Sequence, residues 1–171
     1  MSPPVTSAAL LAIIVVTVAA VFDFLRRTGA EDIEPRVTGA YLTLFTALFA
    51  VRVAGQLVVL LAAPSWLPPM DRWNLTPYRL LLPIQLVFLA AMSWICAGLL
   101  ADEGVVADPH RGFGLFAVGL SLVYAGSMVV RYAVRMRRRP GERWFGGAIP
   151  IVFHVVLAAF VFTYGTFHAS D

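Results

Sequence analysis

Five long apolar segments, joined by short connections, constrain what this chain can fold into. Their approximate limits are residues 5–25, 37–63, 79–101, 113–134 and 145–168. A helix needs about 20 consecutive apolar residues to cross a bilayer, and each segment reaches that length. No connection is long enough to form a separate soluble domain. We therefore predict an all-α fold, a polytopic integral membrane bundle of five transmembrane helices formed by a single helical membrane domain over residues 1–171.

The composition agrees with this class of protein. Hydrophobic residues make up 60% of the chain and charged residues 13%, whereas a soluble domain is about half apolar and a quarter charged. The net charge of +3 is too small to predict a nucleic-acid partner. Cys96 is the only cysteine, which excludes an intramolecular disulfide and a thiolate metal cluster. Glycine-rich phosphate loops and the HExxH and GxSxG motifs are absent from the sequence.

The first segment shares one feature with a signal peptide. Residues 18–20 are small, like those of a cleavage site, but residues 1–7 contain no basic side chain. The apolar stretch is also longer than the core of a typical signal peptide. We therefore expect a true span, and the bundle has four transmembrane helices if this segment does not cross the membrane.

Arginine positions predict the orientation in the membrane. With five spans, the connections 64–78 and 135–144 lie on the same side as the N-terminus. Cytoplasmic loops carry an excess of basic residues, so this side is predicted to be the cytoplasm, with the C-terminus outside a cytoplasmic (inner) membrane. The last arginines of the fourth span are expected to bind anionic lipid head groups, with docking of an acidic partner as the alternative. The arginines on this side are Arg72, Arg79, Arg131, Arg135, Arg137, Arg138, Arg139 and Arg143.

Arg52 is the most informative polar residue because it lies well inside the second span. At 1.5 Å per residue, Arg52 is about 17 Å and Gln56 about 12 Å from the arginine-rich end of their helix. Gln85 of the third span lies at about 9 Å and His154 of the fifth at about 12–14 Å. Tyr124 of the fourth span has a comparable depth. Four helices are therefore predicted to contribute polar groups to one layer.

No aspartate or glutamate lies at the depth of Arg52. An unpaired guanidinium in apolar surroundings is costly, so it needs an acceptor such as an amide, a backbone carbonyl, water or a bound ligand. We hypothesise that the layer binds an amphiphilic or anionic ligand (a quinone, lipid or carboxylate), with transport as one use of such a site. The candidate ligand-binding residues are Arg52, Gln56, Gln85, Tyr124 and His154. A purely structural arginine that snorkels or caps carbonyls is the alternative.

His154 has a distinctive local context. Pro150, one turn earlier, cannot donate its N–H and would leave the carbonyl of Gly146 free, which opens space beside the histidine. The alternative is a neutral, hydrogen-bonded core imidazole. His154 also precedes His168 by fourteen residues, a spacing similar to that of the paired haem ligands in dihaem b-type cytochromes. The resemblance covers two residues of one helix, and it implies a haem on His154 only if another helix supplies the facing ligand.

Two other classes of function stay open. An accessory subunit of a larger membrane complex would have no site of its own and would use rows of small residues as its interface, and a homo-oligomer would use the same rows. Such rows, which we expect mainly to pack the bundle itself, include Gly39, Thr43 and Ala47. An enzyme that modifies lipids or quinones would use His154 as a base, but the sequence offers no carboxylate to orient it.

The predicted orientation can be tested with single cysteines in a Cys96→Ala background. A cysteine in the 135–144 connection should react with a membrane-impermeant maleimide only after the cells are opened, because this connection is expected to be cytoplasmic. A cysteine at the C-terminus should react in intact cells. Labelling of the 135–144 connection in intact cells would overturn the orientation.

Overall fold

The computed structural model describes residues 4–28, 33–62, 64, 65, 67, 78–138 and 149–170. These residues form five α-helices and no strand, and each helix is long and apolar enough to cross a membrane. The predicted all-α membrane bundle is therefore confirmed. The predicted start of the fifth span at Phe145 lies outside the described residues. The helices are α1 Pro4–Thr28, α2 Pro35–Ala62, α3 Tyr78–Ala101, α4 Arg111–Arg138 and α5 Ile149–Ala169.

The outer surface of the bundle is apolar. Phe22 is 71%, Leu61 82% and Val123 74% exposed. Soluble monomers rarely expose contiguous apolar patches larger than a few hundred Å², whereas in a bilayer these side chains contact lipid tails. The protein is an integral membrane protein.

Successive helices run in alternate directions. Tyr41, near the start of α2, donates a hydrogen bond to Asp23, near the end of α1. Cys96, near the end of α3, lies 3.4 Å from the hydroxyl of Thr46 in the first half of α2. These contacts define two antiparallel pairs, α1 with α2 and α2 with α3.

Helix α5 is the centre of the bundle. It packs against α4, α2 and α1, and most of its side chains are buried, among them Val156, Phe160 and Phe167. Helix α4 packs closely on α5 alone, and α3 packs mainly on α2. Among the described helices, α4 therefore does not pack closely on α1 or α2. A gap separates α4 from α1 on one side of α5, and another separates α4 from α2 on the other side.

The contact between α4 and α5 depends on two glycines. A Cβ atom on Gly114 would lie 2.4 Å from the backbone nitrogen of Ala169, and one on Gly165 would lie 2.8 Å from that of Val118. Both distances are too short for a side chain, so the two backbones touch directly. Since Gly114 opens α4 and Gly165 is near the end of α5, these helices are also antiparallel.

The rows of small residues have two different environments. On α4, Ala117 and Ser121 are buried and extend the glycine contact with α5, as expected for close helix packing in lipid. On α2, Thr43 and Ala47 are exposed, although Gly39 is buried. Ser93 and Ala97 on α3 are exposed as well. The expectation that these rows pack inside the bundle is therefore wrong for Thr43 and Ala47 on α2 and for Ser93 and Ala97 on α3, because their side chains are exposed.

The connection between α3 and α4 reverses the chain tightly. Asp102 adopts a left-handed conformation with φ 60°, and the N–H of Glu103 donates to the carbonyl of Gly98 at 3.0 Å. This is the six-to-one hydrogen bond of a Schellman motif. Tyr164 of α5 donates to the carbonyl of Val106 at 3.4 Å, which ties the connection to the central helix.

Alanine substitutions on α4 test the glycine contact. Gly114→Ala should lower the free energy of unfolding by roughly 1–3 kcal/mol, because its Cβ meets backbone that cannot move independently. Gly119→Ala on the same helix is the matched control. A Cβ there has nothing within 4 Å, so the change should leave the free energy of unfolding unchanged or raise it by up to about 1 kcal/mol, because alanine favours the helix over glycine. Unfolding in detergent micelles measures both, and equal losses would contradict the backbone contact.

Candidate ligand-binding site

Arg52 points from α2 towards the central helix and not into lipid. Its side chain is 3% exposed, and its guanidinium carbon lies 5.7 Å from the centre of the Phe153 ring on α5. A cation over an aromatic face at this distance gains about 0.5–2 kcal/mol. Within the described part of the chain, its Nε has no hydrogen-bond partner and no carboxylate pairs with it. Among the described residues, the positive charge is therefore supported by a ring, and no carboxylate neutralises it.

His154 is oriented by a tyrosine. Its Nδ1 lies 2.6 Å from the hydroxyl of Tyr124 on α4, and the two rings meet edge to face with centroids 5.7 Å apart. Both side chains are half-buried. The hydrogen bond fixes the imidazole and leaves Nε2 as the ring atom that can face a ligand. The sequence offers no carboxylate to orient His154, and in the structure the hydroxyl of Tyr124 orients it instead.

The central helix joins these two features. Phe153 and His154 are consecutive on α5, and Arg52 is close enough to both Tyr124 and His154 for their charges to interact. Three of the five predicted site residues therefore lie near one another, on α2, α4 and α5. We call this cluster the polar cleft and define it by Arg52, Tyr124, Phe153 and His154.

The two glutamines lie beside the polar cleft. Gln56 is 1% exposed and Gln85 is 6% exposed, so both amides are buried. Gln56 follows Arg52 by one turn on the same face of α2. The contact between Thr46 and Cys96 sets the register of α2 and α3, and it places Gln85 at about the level of Gln56. Among the described residues, however, no hydrogen bond joins Gln85 to the cleft, and its Oε1 has no partner.

Two residues of the site were missed by the sequence analysis. Phe153 carries no polar atom in its side chain, so nothing in the sequence distinguishes it from other apolar residues of the span. Arg131 was assigned only to the loop side, yet its charge acts on both Tyr124 and His154. The sequence does contain a signal for Arg131. It follows Tyr124 by two helical turns, which places the two residues on the same face of the helix.

Basic residues continue from Arg131 to the end of α4. Arg135 is half-buried one turn further along, and Arg137 and Arg138 are exposed. Arg139, the last of the predicted lipid-binding arginines, lies outside the described residues, as do Arg72 and Arg143. The described part of this run leads from the end of α4 towards the polar cleft.

The surroundings of His168, the second of the two spaced histidines, do not fit a haem. His168 is 2% exposed, and its Nδ1 accepts a hydrogen bond from the backbone N–H of His110 at 3.1 Å. The rings of Phe113, Tyr164 and Phe167 pack edge to face around His168 with centroids 4.4–5.1 Å away. Within the described residues, this packing leaves no space for a porphyrin beside the imidazole.

The expected opening at Pro150 stays a prediction. Pro150 is the second residue of α5 as described, and it is buried. Gly146, whose carbonyl Pro150 would leave free, lies outside the described residues.

Comparison of the chain with family models, with curated proteins and with solved structures gives no match. Its function therefore has to be argued from the polar cleft itself.

A double-mutant cycle tests the pair that orients His154. Tyr124→Phe and His154→Ala should be coupled by about 0.6 kcal/mol and by no more than about 1.7 kcal/mol, the range measured for hydrogen bonds between membrane helices. Unfolding free energies in micelles provide the measurement. Tyr132→Phe combined with His154→Ala is the control, and it should show no coupling because Tyr132 lies two turns away from Tyr124. Equal coupling free energies in both cycles would contradict a specific interaction between Tyr124 and His154.

Proposed function

We propose that this protein binds an amphiphilic anion or carbonyl compound (a lipid, quinone or carboxylate) in the polar cleft. The observation that carries the proposal is the buried Arg52, whose charge no described carboxylate neutralises. Transport of the bound molecule is one use of such a site. In this proposal the protein resides in the cytoplasmic (inner) membrane, with its N-terminus in the cytoplasm and its C-terminus outside.

The electrostatics favour a ligand that carries negative charge. Two opposite unit charges about 4 Å apart gain about 4 kcal/mol at an effective dielectric constant of about 20. The contact with Phe153 provides less than this, so a bound anion would contribute a substantial part of the stabilisation that Arg52 lacks. Ionisable groups inside membrane spans are rare because they are costly, and they usually mark substrate or ion pathways.

The half-buried pair Tyr124 and His154 is the accessible edge of the polar cleft, and Arg52 lies behind it. An incoming head group would therefore contact the Nε2 atom of His154 first. The positive charge of Arg52, which lies deeper in the bundle, would attract it. The hydroxyl and the imidazole provide one donor or acceptor each, which suits a carboxylate, a phosphate or a quinone carbonyl. The apolar part of the ligand would remain among the surrounding helices and lipid tails.

The basic face of α4 supplies a route for such a ligand. Arg131 and Arg135 lie between the end of the helix and Tyr124, so an anionic head group that enters from the lipid interface passes two positive charges. Basic residues near an anionic surface each contribute about 1 kcal/mol of attraction. Anionic lipid head groups at Arg135, Arg137 and Arg138 are the partners that this arrangement favours.

Substitutions of Arg52 test the proposal. Protein extracted in lipid-polymer discs should retain its ligand, which mass spectrometry of the extracted small molecules identifies, and decylubiquinone and oleate serve as added probes. Arg52→Leu should abolish retention and leave the bundle folded, because it removes a costly buried charge. Arg52→Lys should restore retention only in part, since lysine lacks the planar fork that grips oxygen pairs.

Arg36→Leu is the matched control for these variants. Arg36 is an exposed arginine in the first turn of α2, about 24 Å along the helix from Arg52, so its removal should leave ligand retention unchanged. Loss of retention in Arg36→Leu, or full retention in Arg52→Leu, would contradict binding in the polar cleft.

A second candidate function is that of an accessory subunit. The observation in its favour is the exposure of the small residues Thr43, Ala47, Ser93 and Ala97 on α2 and α3, because small residues let another helix approach closely in lipid. This candidate predicts a stoichiometric membrane partner that co-purifies in mild detergent. It also predicts that Ala47→Leu releases the partner, whereas Arg52→Leu does not.

A further inference from the structure

Two cavities lie end to end between α1 and α4, with α5 as their floor. Their volumes are about 310 and 260 Å³, and Val155 lines both. We call them together the α1–α4 groove. Tyr124 and His154 face the polar cleft, whereas the next residues, Ala125 and Val155, face the groove. The two spaces therefore lie on opposite sides of the contact between α4 and α5, and the polar cleft does not account for the groove.

The walls of the groove offer almost nothing polar. The hydroxyl of Thr17 donates to the carbonyl of Ile13 at 2.7 Å, and that of Ser121 donates to the carbonyl of Val118 at 2.7 Å. Both hydroxyls are thereby satisfied within their own helices. The other lining residues are apolar apart from the hydroxyl of Tyr132. An occupant of the groove is therefore hydrocarbon along most of its length.

The length of the groove suits a lipid chain. Along α4 the groove extends from Ser121 to Tyr132, about 16 Å, which is close to half of the ~30 Å hydrocarbon core of a bilayer. That is the depth of one leaflet. An acyl chain of a bilayer lipid spans this same depth, so one chain seated along the groove matches its length.

The charge at one end of the groove selects the head group. Tyr132 lines the groove at the end nearest the basic end of α4, and the half-buried Arg135 follows three residues later, which makes the two side chains neighbours on the helix. A chain seated in the groove would place its head group beside this arginine. We infer that the α1–α4 groove holds one acyl chain of an anionic phospholipid, with its phosphate at Arg135.

This inference is independent of the ligand in the polar cleft, because it uses neither Arg52 nor His154. It also differs from general attraction of anionic lipid to basic residues. The inference requires that each protein molecule retains one lipid. It also requires that a substitution in the apolar groove, away from every charged residue, abolishes this retention.

The test is native mass spectrometry of protein released from phosphatidylcholine bilayers that contain a minority of phosphatidylglycerol. Wild-type protein should retain one lipid and enrich phosphatidylglycerol about fivefold over its share of the bilayer. That factor corresponds to the ~1 kcal/mol that one arginine contributes near an anionic head group. Ala125→Trp should abolish retention, because the indole fills the groove. Val123→Trp is the matched control, since Val123 is 74% exposed on the outer face of α4, and it should retain the lipid.

Arg135→Gln separates the chain from the head group. This variant keeps the groove and should still retain one lipid, but its preference for phosphatidylglycerol should disappear. Arg135→Gln also tests the inference if the Ala125→Trp variant does not fold. Four outcomes would overturn the inference: no retained lipid on the wild type, equal retention in Ala125→Trp, an unchanged preference in Arg135→Gln, or a wild-type dimer that Ala125→Trp converts to a monomer.

Discussion

The direct backbone contact between α4 and α5 is the interaction on which the rest of the bundle depends. Helix α4 has no other close neighbour among the described helices, so its position depends on this contact, in which Gly114 and Gly165 bring the two backbones together. In lipid, apolar burial does not drive helices together, and close packing with interhelical hydrogen bonds has to do so. The glycines supply the packing at one end of α4, and Tyr124 with His154 supplies a hydrogen bond near its middle.

This arrangement explains why α4 has one polar and one apolar neighbouring space. A helix that packs closely against a single neighbouring helix leaves an opening on each side of that contact. On the side of α2, the opening contains the charge of Arg52 and the imidazole of His154. On the side of α1, it contains only hydrocarbon, since Thr17 and Ser121 turn their hydroxyls to their own backbones. The protein thus presents two chemically different surfaces to the molecules of the bilayer at similar depth.

Asp23 and Arg52, which both lie within spans, have opposite environments. Asp23 lies near the end of α1, where it accepts a hydrogen bond from Tyr41 and pairs with Arg26 and Arg27. A carboxylate with three such partners needs nothing further. Arg52 lies deep in the bundle with a phenylalanine ring as its neighbour, and the part of the chain that the structure describes gives it no counter-ion. This contrast, within one small protein, is the physical reason to assign binding to the polar cleft and a structural role to Asp23.

The sequence by itself determined the five spans, and it predicts the orientation from the arginines and a common depth for the polar layer. In lipid every backbone group has to be satisfied within its own helix, so length and hydropathy are enough to find the spans, and depth follows from the rise per residue. Only the tertiary structure decided which faces meet. It placed Phe153 under Arg52, joined Tyr124 to His154, kept Gln85 out of hydrogen-bond contact with the cleft, and exposed the small residues of α2 and α3. The sequence could not show this, because the inside of a membrane bundle and the lipid around it are equally apolar, and no alternation of polar and apolar residues marks the buried face.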